Sequence, residues 1–144
     1  MDGLFDRFPT TEARRALATR LRLPYSDDMQ DWEWEVADPN RFAEFIDLYR
    51  RGNLTDDELF SLMEVLVQCV EEMLEEPADL PSAARAWSEL EPLLLRHSEL
   101  HISTVQYWSR TGEADPSALF ALSPIMRKLH IRMLDSGRVA PANP

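Results

Sequence analysis

The densest group of chemically capable side chains is Glu71-Glu72-x-x-Glu75-Glu76. On a continuous helix Glu72 and Glu76 share a side, as do Glu71 and Glu75, which gives a double acidic stripe. Helical Glu-x-x-Glu pairs can hold Mg²⁺, and a second acidic pair on a following helix would strengthen that reading. Residues 82–99 offer only Glu89, Glu91 and Glu99, without matching spacing. Like charges at a helix C-terminus oppose each other and the helix dipole, so the stripe reads as a partner surface or a solvated face. His97 and His101 stand four apart, the spacing by which two imidazoles share a metal on a helix. The run His-Ser-Glu-Leu-His leaves the general base of H-E-x-x-H out of place, and the single cysteine, Cys69, is 28 residues upstream. The pair reads as ordinary surface or interhelix histidines, and His130 as a half-buried residue beside Met126 and Leu134. Cys69 lies in the most apolar segment, where a thiol acts as a small hydrophobe with a raised pKa. No G-x-S-x-G, P-loop or G-x-G-x-x-G occurs, and four glycines leave little for phosphate-cradling loops. No catalytic residue, metal ligand or cofactor is assigned.

Aromatic residues supply a second feature. Trp32 and Trp34 stand inside Asp27-Asp28-Met29-Gln30-Asp31-Trp32-Glu33-Trp34-Glu35. On a helix they point roughly 200° apart, so one short helix does not easily bury both in one direction. Either both are core, each under a different neighbour, or one sits near the surface ringed by carboxylates. The second arrangement has the composition of a binding hot spot.

The elements that must position these groups are helical. Apolar residues recur at a period near 3.6 and strand signals are nearly absent, which predicts an all-α fold: a compact single-domain bundle of about seven or eight helices. Thr10 or Thr11 caps a first helix to about Leu23, stopped by Pro24. A short helix follows within Asp27 to Val36. Asp38-Pro39 starts another, carrying Phe42, Phe45, Ile46 and Tyr49 and ending at Gly52 as its C′ glycine. Thr55-Asp56-Asp57-Glu58 matches a capping box and opens the central helix, which the pattern carries to about Glu76 before Pro77. Leu80-Pro81-Ser82 opens a helix that Pro92 should kink or split. Ser98-Glu99 through Trp108 is a further helix. Asp115-Pro116 starts a short one, and Ser123-Pro124 caps a last one to about Leu134. Gly137 ends it; residues 1–137 form the domain and 138–144 a flexible tail.

The chain has 144 residues, with 26 Asp+Glu against 15 Lys+Arg and a net charge of −11. Residues 1–26 balance at +2 and residues 80–144 at +1, while residues 27–79 hold 17 acids against three arginines, a balance of −14. Phosphate contacts need cations, so direct nucleic-acid binding and an anionic membrane surface are both disfavoured. The block points to a basic partner or to a solubilising surface. One cysteine excludes an intramolecular disulfide framework. With no secretory signal and no long apolar run, the reading is a cytoplasmic protein.

At Asp31-Trp32-Glu33-Trp34-Glu35-Val36-Ala37-Asp38-Pro39, Asn53-Leu54-Thr55-Asp56-Asp57-Glu58, Leu62-Met63-Glu64 and Tyr107-Trp108-Ser109, the chain resembles a group of small, acidic, helical bacterial proteins. Some of these look like immunity partners of polymorphic toxins delivered by contact-dependent or type VI secretion. The resemblance spans roughly residues 27–110 and carries no catalytic signature. It implies an interaction function with a cognate toxin or effector domain as partner. Nuclease-type toxins are basic, so an acidic face gains on-rate and specificity against them. The expected partner-binding residues are Asp27, Asp28, Asp31, Glu33, Trp34 and Glu35, with Glu71, Glu72, Glu75 and Glu76. The competing expectations are a metal-dependent all-α hydrolase using the Glu71–Glu76 carboxylates and a non-catalytic regulatory or scaffold homodimer.

Overall fold

Local capping sets most of the helix starts. In the computed structural model, which describes residues 7–136, Thr10 accepts a hydrogen bond from Ala13 N at 3.2 Å and opens α1, Thr11–Leu21. Arg22, in the left-handed region at φ 56°, ends it ahead of Pro24. The next helix, α2, covers only Trp32–Val36, shorter than the predicted segment. Asp27 cannot cap an earlier start because Arg15 (2.8 Å) and the Tyr25 hydroxyl (2.9 Å) hold its carboxylate, while Ser26 Oγ turns the chain by accepting Asp28 N.

Asp38 caps a 3₁₀ turn at Pro39–Arg41 that leads directly into α3, Phe42–Arg51. Gly52 does not take the left-handed position predicted for it. Its φ is −78°, and Asn53 takes the left-handed role at φ 52°. Asparagine tolerates that region. What position 52 requires is absence of a side chain, because a Cβ there would lie 2.5 Å from Leu48 O. The capping box of α4, Asp56–Leu74, is complete: Glu58 N donates to Thr55 Oγ1 and Thr55 N to Glu58 Oε1. This helix stops at Leu74, short of Glu76, with Glu75 already extended at ψ 156°. Pro77 disfavours helical geometry in the residue before it, which cuts the last turn.

Asp79 caps α5, Leu80–Arg96, which runs through Pro92 unsplit. Pro92 and Ser88, four residues earlier, both lie on the exposed side, where water can serve the carbonyl that loses its N–H partner. His97 alone separates α5 from α6, Ser98–Ser109. A 3₁₀ turn at Pro116–Ala118 precedes α7, Ser123–Asp135. Ser123 is the first residue of that helix and not its cap; its hydroxyl accepts Phe120 N and donates to Trp108 O at 2.7 Å.

Among the described residues there are seven α-helices, two 3₁₀ turns and no strand. As the sequence predicts, α4 is central: it packs against α1, α2, α3, α5 and α6, whereas α7 packs chiefly on α6. Trp32, Phe45, Leu62, Leu66, Leu94, Ile102 and Met126 are fully buried in one continuous core. No described helix is long and apolar enough to cross a membrane. Gly137 and the 138–144 tail lie outside the described residues.

Candidate functional site

Helix α2 is held from below and presents its outer side to solvent. Trp32 is fully buried, and its indole N–H donates to Pro24 O at 2.7 Å. Glu33, expected on the acidic face, turns inward instead. Its carboxylate takes a two-pronged contact from Arg14, 2.6 Å from Nη2 and 2.8 Å from Nε, and the residue is buried. The same guanidinium donates to the carbonyls of Met29 and Gln30, so Arg14 fixes the loop entering α2 as well as the helix.

The outer side is formed by Asp31, Trp34 and Glu35, which share one helical face at positions i, i+3 and i+4. Trp34 is 62% exposed. Asp28, Asp31 and Glu35 are exposed and have no ion-pair partner among the described residues. Asp27 lies beside them but is engaged: the Tyr25 hydroxyl, and then Arg15, hold its carboxyl below the ordinary range.

The second acidic group departs from the predicted double stripe. Because α4 stops at Leu74, Glu75 and Glu76 lie past its end, so neither shares a helical side with Glu71 or Glu72. Glu71 is buried and serves the fold, accepting Ala121 N at 3.1 Å and Leu122 N at 2.9 Å just before α7. Burial raises its carboxyl above the ordinary range, and the two N–H groups work against that rise. Replacing it, Glu71→Gln, keeps one acceptor oxygen for two donors and should cost about 1–2 kcal/mol in urea denaturation. An unchanged midpoint would mean that the two N–H groups find other acceptors. Glu72 is half-buried, accepts Gln68 Nε2 at 3.2 Å, and is raised by burial and by the nearby charges of Glu75 and Asp38. Asp38, two residues past α2, is close enough to act on Glu72. Of the ten expected partner residues, eight remain at least partly accessible; Glu33 and Glu71 do not.

His101 is fully buried, with Nε2 2.7 Å from the Tyr49 hydroxyl. Burial pushes its imidazole down to about 3, so it is neutral at ordinary pH. His97 is half-buried, its ring centroid 6.4 Å from that of His101. No group of three or more His, Cys, Asp or Glu among the described residues is placed to hold a metal. Cys69 is fully buried, and burial pushes its thiol up to about 12. A surface cleft of about 810 Å³ lies between Arg7, Asp56, Arg96, His97 and Glu99, with charges of both signs and none of the expected acidic residues on its walls.

One feature escaped the sequence reading. Ser61, Glu64, Gln68 and Glu71 follow a three-four-three spacing along α4, an inward polar stripe in an otherwise apolar helix. Glu64 accepts Thr104 Oγ1 at 3.3 Å. Its carboxyl is pushed up to about 7, first by burial and then by Glu33; Thr104 and Trp108 oppose the rise. The Trp108 indole lies close, but its N–H reaches no partner in good geometry. The detectable signal was the heptad-like spacing of polar residues where the pattern was otherwise hydrophobic. No family model, curated protein or solved structure matches the chain.

Proposed function

We propose that this chain is a non-catalytic immunity-type protein that neutralises a cognate basic toxin through the outer side of α2. The observation that carries this reading is Trp34, 62% exposed on one helical face with Asp31 and Glu35. A large exposed aromatic costs solvation and is favoured where a partner covers it, and aromatic anchors within polar rims dominate binding energy at interfaces. Asp28, Asp31 and Glu35 make no ion pair among the described residues, so their charge is available for attraction at a distance. Asp27, Glu72, Glu75 and Glu76 extend the rim. Glu33 and Glu71 are internal supports with no place in the contact.

Stopped-flow association with a basic toxin domain, where one is encoded beside this chain's gene, tests the reading. The on-rate should fall steeply with added salt, and Asp31→Lys with Glu35→Lys should reduce it by about tenfold or more. Trp34→Ala should act mainly on dissociation, with a loss of about 2 kcal/mol or more. Salt-insensitive association, together with full binding by the charge-reversed variant, would remove this face from the proposal.

A further inference from the structure

Helices α6 and α7 pack on each other and join the preceding helices through a single covalent point, His97. Their other ties to the body include three polar contacts. Tyr49 on α3 meets His101 at 2.7 Å, Glu64 on α4 accepts Thr104 at 3.3 Å, and Glu71 on α4 holds the N–H groups of Ala121 and Leu122. This seam is incompletely satisfied: His101 Nδ1 and Trp108 Nε1 are buried without a hydrogen-bond partner among the described residues. Buried polar groups in that condition cost free energy, and opening to water recovers it.

We infer that α6 and α7 open from α4 as one unit along this polar seam, and that ionisation of Glu64 favours the opening. The groups facing Glu64 define the sign. From α2 comes Glu33, whose negative charge is held by Arg14 of α1; from α6 come Thr104 and the Trp108 indole; α3 and α5 send it no charge. A carboxylate forming there is desolvated, lies near a like charge and pairs with no cation among the described residues. Its neutral form is therefore the closed form, and raising pH through about 7 loosens the seam. His101, neutral when buried, works in the other direction and favours opening only as pH falls below its ordinary value of 6.5.

Hydrogen exchange on the full chain, corrected for intrinsic rates, tests this. Amides of α6 and α7 should exchange together and be less protected than those of α4. Between pH 6.5 and 8.5 their protection should fall by about twofold, a loss of about fourfold from Glu64 offset by about twofold from His101. In Glu64→Gln the fall should vanish, leaving at most about a twofold rise from His101. Thr104→Val removes a donor that holds the Glu64 carboxyl down, so it should shift the midpoint of the change to higher pH. Equal protection of α4 and α6–α7 at both pH values overturns the inference. So does the same twofold fall in Glu64→Gln, or a midpoint unmoved in Thr104→Val.

Discussion

Alanine at position 14 should destabilise the protein by about 3–5 kcal/mol, because it leaves a buried carboxylate with no cation. Arg14 and Glu33 side chains are only 16% and 9% exposed, so solvent screens the loss poorly. The substitution also frees the Met29 and Gln30 carbonyls, and with them the loop that enters α2. Urea denaturation of Arg14→Ala gives the cost directly. A paired replacement, Arg14→Met with Glu33→Met, should recover most of it, since two apolar side chains of similar length remove the charge and its partner together. If Arg14→Ala stays within about 1 kcal/mol of the parent, solvent reaches Glu33 and the clamp is weaker than its geometry. The functional consequence is separate: in the alanine variant Trp34 loses its fixed platform, so binding should weaken more than Trp34 exposure alone would require.

The second large effect concerns pH. The folded chain holds a proton on Glu64 up to about 7, whereas an unfolded glutamate releases it near 4.5. That contribution is complete below 4.5 and is lost as pH rises through 7. His101 titrates near 3 when folded against 6.5 unfolded, so its contribution is complete above 6.5 and is lost as pH falls. Between pH 4.5 and 6.5 these two slopes oppose each other. Glu64→Gln removes the falling slope, so its stability should rise with pH relative to the parent by up to about 1.4 kcal/mol per unit. His101→Phe removes the rising slope, so its stability should fall with pH relative to the parent at a similar rate. The lost Tyr49 contact shifts that variant's curve downward without changing its tilt. Denaturation series at half-unit steps across this window suffice. Parallel curves for the two variants would mean that neither group titrates as its burial demands.

The fold was largely legible because its helix starts are written in short-range chemistry. Thr10, Asp38-Pro39, Thr55 to Glu58 and Asp115-Pro116 all use contacts within three residues, which a linear reading can see. Helix ends were less legible. Glu75 and Glu76 continue a helical charge pattern, yet the constraint from Pro77 overrides it, and the acidic stripe disappears with the last turn. The acidic face was the part that sequence order could least resolve. A count of carboxylates within residues 27–79 treats Glu33 and Glu71 like Asp31 and Glu35. Their partners lie elsewhere: Arg14 is in the first block, and the Ala121 and Leu122 amides carry no formal charge at all. Trp32 and Trp34 could be separated only as alternatives, because periodicity says that they diverge and cannot say which one the core takes.

Cys69 has a practical consequence for every measurement above. A thiol with no exposed surface and a pKa near 12 is scarcely nucleophilic toward maleimides at neutral pH while the protein stays folded. The natural chain therefore tolerates a dye without first being made cysteine-free. A cysteine introduced at an exposed position, Glu35→Cys or Lys128→Cys, would carry the label alone, and a second modification at Cys69 would itself report that the core had opened.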